Sequence, residues 1–186
     1  GGALAPDGGR IRFEGRDVTR LPPWRRSRLG IGRTFQITNL FPALTVADHL
    51  RLCAASALGR RIDAERRSGR IAALEAERDV RVRDLSYGHQ RQLEVAMAVA
   101  MAPRLLLLDE PAAGLSEGEI GSIVTTIDGL DRSIAVILVE HDMDVAFAVA
   151  DRVVVFNHGE IVADGSPEAI RENEEVRRIY LGRGRR

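Results

Sequence analysis

The chain has 186 residues, 45% hydrophobic and 29% charged, with 27 basic and 27 acidic side chains that cancel to a formal net charge of zero. That length can bury a sizeable core and that composition is ordinary globular usage, so the chain need not be disordered, and zero net charge gives it no global basic field to recruit nucleic acid. Every basic side chain is an arginine, and Cys53 is the only cysteine, so no intrachain disulfide framework exists; set among Ala and Leu it reads as a small buried hydrophobe and fits a reducing compartment.

In chain order, Arg10 to Phe13 and Asp17-Val18 flank Glu14-Gly15-Arg16, a short hairpin signal. Pro22-Pro23 opens a brief helix carrying Trp24. Gly30 to Phe35 reads as a strand, and Gln36 follows it, where an amide side chain can reach a metal ion or an attacking water. Asp48 to Leu58 and Ile62 to Val80 read as helices, the second rich in Ala, Glu and Arg. Leu85-Ser86-Tyr87-Gly88-His89-Gln90 then leads into Arg91 to Ala100, with apolar residues at helical spacing. Ser86 can cap that helix, whose free amides and positive dipole end suit a phosphate; taken alone, an ordinary capped helix is the favoured explanation of the segment.

Leu105 to Leu108 describes a buried strand that delivers Asp109 and Glu110 to its tip. Crevices outside the carboxyl ends of parallel strands bind ligands, and of two such acids the first can hold Mg²⁺ while the second polarises water. A strand ending in a solvated turn is the commoner explanation for an isolated acidic pair; the elements around this one reverse those odds. Ile134 to Val139 reads as a second buried strand ending in Glu140-His141-Asp142, which sets His141 on the same edge, able to hydrogen-bond a γ-phosphate or a positioned water. Met143 to Ala150 reads as a helix, and Val153 to Phe156 with Glu160 to Ala163 as a hairpin around Asn157-His158-Gly159. Gly165-Ser166-Pro167-Glu168 supplies a cap, an N1 proline and an early acid before a last helix, Glu168 to Tyr180. Three arginine clusters (Arg25, Arg26 and Arg28; Arg60, Arg61, Arg66 and Arg67; Arg183, Arg185 and Arg186) read as solvated faces, although the first can also meet phosphates or lipid headgroups. No apolar run approaches the ~20 residues needed to cross a bilayer, since Val95 to Ala102 stops at Pro103.

Together these residues resemble the ATP-binding cassette (ABC) ATPases. Leu85 to Gln90 looks like their signature motif, Leu105 to Glu110 their Walker B strand, Ala113 to Ser116 their D-loop, Gln36 their Q-loop glutamine and His141 their switch histidine. The phrases LSYGHQRQLEVAMAVA, DEPAAGLS and VEHDMDVAFAVADRVVVFNHGEIVADGSPEAI are most similar to importer subunits serving branched-chain amino acids and related amides. The resemblance implies an α/β fold: a P-loop NTPase-like core with a mostly parallel sheet and antiparallel hairpins, forming one domain over residues 1–186 with a short helical subdomain inserted at 38–102. It implies ATP and Mg²⁺ as cofactors and hydrolysis between two cassettes arranged head to tail. Asp109 would hold Mg²⁺ through water, Glu110 would act as general base or water orienter, and Gln36 and His141 would sense the γ-phosphate. Ser86 and Gly88 would bind the γ-phosphate of the partner's nucleotide. Tyr87 and His89 stand where many cassettes have glycine and glutamine, and Ser116 where many D-loops have aspartate. The implied partners are a second cassette, identical or not, and transmembrane permease subunits, with no nucleic acid and no direct membrane insertion; the implied location is cytoplasmic, peripheral on the inner face of the cell membrane.

Two features depart from the family pattern. The P-loop, G-x-x-x-x-G-K-[ST], is absent and no residue can play its lysine, while Gly1 to Gly9 resembles the segment just after the P-loop helix. The expectation is that a first strand, the P-loop and most of its helix are missing, leaving core surface exposed beside Leu105 to Leu108 and Val136 to Val139, and the chain as it stands inactive. The stretch from Gln36 to Ser86 is also shorter than the usual helical lobe, which puts the usual coupling surface in question. Two rival readings stay open: a non-transport cassette ATPase, and a non-enzymatic remnant that dimerises with an intact subunit and donates only its signature surface.

Overall fold

The computed structural model describes residues 1–34, 40–56 and 72–181. It divides into two compact units, Gly1–Val139 and Glu140–Arg186, each of which is described by itself. In the first, strands β1 (Arg12–Phe13) and β2 (Arg16–Asp17) pair antiparallel. The turn between them places Glu14 and Gly15 at φ 48° and 76°, the left-handed pair whose twist matches a two-residue hairpin. Helix α1 (Pro23–Arg28) starts on a proline at its first turn, where the missing N–H costs nothing. Its Arg26 is buried and donates from Nε to the Leu21 carbonyl and from Nη2 to the Thr19 carbonyl, each at 2.9 Å, locking the hairpin exit to the helix.

Three strands, β3 (Ile31–Arg33), β4 (Leu105–Asp109) and β5 (Ala135–Val139), form a parallel sheet in that order. β4 is central, with Leu105 in register with Ile31 on one side and Ala135 on the other, and Asp109 opposite Val139. Leu106 and Leu108 are fully buried, as an apolar run in a parallel strand requires. β5 is less enclosed than the buried strand expected over Ile134 to Val139: its Ile137 and Val139 are 52% and 56% exposed.

The helical part begins at α2 (Val46–Ser56), started by a reciprocal cap in which the Thr45 N–H donates to the Asp48 carboxylate and the Asp48 N–H to Thr45 Oγ1. His49 is fully buried and satisfied at both nitrogens: Nε2 accepts from the Phe41 N–H and Nδ1 lies 2.9 Å from the Thr45 carbonyl. Cys53 is half-buried, and burial pushes its thiol pKa up. Of the helix expected over 62–80, residues 62–71 lie outside the described residues, and the described part, α3 (Ala72–Glu75), stops five residues early. The reason lies in the next element of the fold. The carbonyls of Arg78 and Val80 accept from the N–H groups of Ala47 and Val46, satisfying free amides at the start of α2 that a continuing helix would have left unmet. Helix α4 (Tyr87–Ala100) packs against both, and Leu93 and Ala96 join Val46, Leu74, Val82 and Leu85 in one core cluster. Helix α5 (Glu117–Asp128) connects β4 to β5.

In the second unit, Asp142 caps α6 (Met143–Val149) by accepting from the Asp144 and Val145 amides. Strands β6 (Val153–Asn157) and β7 (Glu160–Gly165) form the expected hairpin, with His158 and Gly159 at φ 48° and 85°. A two-pronged Arg152–Asp164 pair, 2.7 Å on each prong, closes its open end. The single helix expected over Glu168 to Tyr180 is broken into α7 (Pro167–Glu172), α8 (Glu174–Val176) and a wide turn over Arg177–Leu181. Asn173 causes the break: its backbone is extended at φ −68° and ψ 118°, and its side-chain oxygen accepts from the Glu175 and Val176 amides, the local bond that lets asparagine compete with a helix interior. The break turns Val176 onto Val155 and Ile170, the core of this unit.

Because Leu93 is fully buried where three elements of the helical part meet, Leu93→Ala should cost ~2–5 kcal/mol, read as a lowered urea midpoint at unchanged slope. A loss below ~1 kcal/mol would show that the cluster refills the space.

Candidate nucleotide site

The acidic pair stands where the strand pattern placed it, and the backbone separates its members. Asp109 ends the β4 ladder, while Glu110 turns to φ 47° and donates its N–H to the Val139 carbonyl at 2.8 Å. A non-glycine residue in this left-handed region costs ~1–3 kcal/mol, and such outliers concentrate at functional sites. The neighbouring strand's carbonyl holds it there. Across the sheet, Arg33 of β3 donates from Nη2 to Asp109 Oδ2 at 3.3 Å, with the two side chains 35% and 29% exposed. Asp109 therefore already accepts a cationic group at the strand tip, and its hard oxygen donors fit Mg²⁺ with water and phosphate completing the shell. Among the described residues no cluster of three or more His, Cys, Asp or Glu side chains surrounds a point.

The segment from Leu85 to Gln90 forms a capped helix start. Ser86 is extended, at φ −61° and ψ 157°, and its Oγ accepts from the His89 N–H at 3.2 Å. Gln90 donates from Nε2 to the Val82 and Leu85 carbonyls, tying the preceding 3₁₀ turn to the helix. The His89 ring is engaged sideways, its Nδ1 2.8 Å from Glu77 Oε2. Tyr87 is half-exposed beneath the Arg91 guanidinium, and a Cβ added at Gly114 would come 3.4 Å from its ring.

Gly88 reaches a residue that the sequence reading missed. Its N–H donates to Glu119 Oε1 at 3.0 Å, and a Cβ there would stand 2.6 Å from that oxygen, so only glycine permits the approach. The other carboxylate oxygen of Glu119 accepts from the Ser116 N–H at 3.0 Å and from Ser116 Oγ at 2.8 Å. These bonds, from the Ser116 amide first, then its hydroxyl, then the Gly88 amide, hold the Glu119 carboxyl below the usual carboxylate range. The legible signal was the S-x-x-E spacing of Ser116 and Glu119, a capping box before α5.

The structure thus joins Asp109 to Glu110 at one strand tip, and gathers Ser86, Tyr87, Gly88, His89 and Ser116 around the start of α4. Gln36 lies outside the described residues. His141 belongs to the second unit, two residues beyond Val139 in sequence, with its side chain 71% exposed and Nδ1 4.0 Å from Glu140 Oε2.

A protein-family model described as ABC transporter matches residues 1–113, and one described as branched-chain amino acid ATP-binding cassette transporter matches residues 160–185. The chain is 36% identical to the high-affinity branched-chain amino acid transport ATP-binding protein BraF of Pseudomonas aeruginosa, over 97% of this chain and 79% of the relative. It is 32% identical to the lipopolysaccharide export system ATP-binding protein LptB of Acidithiobacillus ferridurans, over 97% and 77%. Among solved structures, the ADP conformation of an ATP-binding cassette of an ABC transporter superposes with a TM-score of 0.81 at 25% identity, over 97% of this chain and 80% of that one.

The lowered pKa of Glu119 carries a sign: the stability its bonds contribute is present at neutral pH and is lost only as pH falls through the lowered value. In a carbon-detected carboxylate titration, Glu119 should titrate below the ordinary glutamate value of about 4.3. A midpoint at or above that value would remove the Gly88 and Ser116 contacts.

Proposed function

The chain belongs to the ABC transporter ATP-binding family, and from that premise we propose that it is the ATP-hydrolysing subunit of an importer for branched-chain amino acids or related amides. The observation that carries the hydrolytic part is the tip of β4, where Asp109 and a strained Glu110 are fixed side by side in different backbone conformations. Mg²⁺, held by Asp109 and Gln36, would neutralise charge on the β- and γ-phosphates. Glu110 orients the water that attacks the γ-phosphorus and takes its proton as the bond to ADP breaks. Ser86 Oγ and the Gly88 amide meet the γ-phosphate of the partner's nucleotide, at a helix start suited to an anion. His141 follows β5 in sequence as the γ-phosphate contact. A second cassette and a pair of permease subunits complete the assembly, with the chain peripheral to the inner face of the membrane.

The solute assignment rests on the name of BraF and on the match over residues 160–185. The similarity to LptB makes a lipid exporter the alternative, so the assay is leucine uptake against lipopolysaccharide release in permease-reconstituted vesicles.

For the hydrolytic role, a version with a P-loop segment joined ahead of Gly1 is compared with its Glu110→Gln variant. The variant should keep ATP binding, accumulate an ATP-bound dimer and lose at least ~10²-fold in hydrolysis, the lower end of general-base effects. Turnover near the parent's would sink the assignment of Glu110.

The 186 residues given contain no P-loop motif and no lysine. A nest of amides and a lysine around the phosphates supplies several charge-assisted hydrogen bonds of about 1.5–3 kcal/mol each. Without them, Mg-ATP should bind these residues several orders of magnitude more weakly than the P-loop-bearing version, with no saturation below ~1 mM in calorimetry. Micromolar binding and turnover by the unmodified chain would overturn this and point to a different nucleotide site.

A further inference from the structure

A capping box satisfies free amides at the start of its own helix and needs no distant partner. Glu119 does more than that. Its Oε2 serves the local cap through Ser116, while its Oε1 crosses 31 residues of sequence to the Gly88 amide. An N–H has one proton to give, and the proposed function assigns that of Gly88 to a phosphate oxygen. A carboxylate oxygen and a phosphate oxygen are both anionic acceptors, and they cannot share it. A Cβ added at Gly114 would come 3.4 Å from the Tyr87 ring, so the D-loop turn also approaches the start of α4 there.

We infer that Glu119 is a positioning residue that holds the Gly88 amide until the partner cassette's γ-phosphate displaces it, so that arrival of the phosphate loosens the D-loop turn through the same carboxylate. This inference rests on the head-to-tail reading above. Oε1 and the incoming phosphate compete for one donor and repel each other, so the carboxylate raises the ATP concentration at which the dimer closes. Its second oxygen makes the competition informative to the rest of the site: once Oε1 is displaced, Ser116 is held by a side chain no longer anchored to α4. The negative charge is well placed for this, since its bonds keep it ionised to below the usual carboxylate range.

The test uses the P-loop-bearing chain with Glu110→Gln, which blocks hydrolysis, and follows ATP-dependent dimerisation by sedimentation. Glu119→Gln should lower the half-maximal ATP concentration roughly two- to fivefold, the size of effect expected for one exposed like-charge contact. Glu119→Asp, too short to span both partners, should shift it the same way. A merely structural carboxylate predicts the opposite sign, because a loosened cap would weaken the dimer; an unchanged or raised half-maximal concentration therefore overturns the inference. If the parent itself fails to dimerise with ATP, the head-to-tail reading fails and this inference falls with it. Amide hydrogen exchange on the nucleotide-free chain tests the tie separately. Glu119→Ala should accelerate exchange at Gly88 and Ser116 together, and acceleration confined to Ser116 would mark an ordinary helix cap and overturn the tie.

Discussion

The pairing of β4 with β5 runs one hydrogen bond beyond the end of β4, from the Glu110 N–H to the carbonyl of Val139, the last residue of β5, and the acidic tip depends on that last bond. Without it, Glu110 would relax from φ 47° into the extended region, recovering the strain stored there. The sheet register thus positions the acid through backbone alone. Leu106 and Leu108 supply the burial that makes the register unique, since a one-residue slip would expose both.

The helical part applies a similar economy to the free amides of its helix starts. Those of α2 are met by Asp48 and by the carbonyls of Arg78 and Val80, that of α4 at His89 by Ser86, and the Ser116 amide that opens α5 by Glu119. In two of the three cases the partner comes from another segment or also serves one, which turns local caps into tertiary ties. Through Glu119 these ties join the D-loop segment to the signature segment. The arrangement is inexpensive to rearrange, and it suits a surface that has to exchange an internal anion for an external one.

The sequence displayed whatever follows from a period or a short-range bond. The hairpins at Glu14-Gly15 and His158-Gly159, the buried run of β4 and the Ser86 cap are all fixed within a few residues, and each is found where the pattern placed it. The misses have a common origin in competition between neighbours that a pattern does not contain. The helix expected to reach Val80 yields its last turns because α2 needs their carbonyls, and the last helix breaks because the Asn173 side chain captures two amides. At the site, Asp109 and Glu110 were visible as a strand ending in acids, but Arg33 beside Asp109, Glu77 beside His89 and Glu119 on Gly88 were not, because each contact joins residues distant in sequence or in element. Gln36 falls outside the described residues, and the assignment of His141 rests on its place after β5.

Two adjacent carboxylates are useful to hydrolysis only if they do different work. Here the difference is built before any ligand arrives: Asp109 lies on the ladder beside a guanidinium, and Glu110 lies off it on a left-handed turn. The guanidinium beside Asp109 shows that its carboxylate can receive a cation. Glu110, held by the Val139 carbonyl, heads the loop that leads to Ser116, whose own amide is held by Glu119. A single loop from Glu110 to Ser116 therefore runs from the acidic strand tip to the turn that Glu119 ties, through hydrogen bonds, to the Gly88 amide.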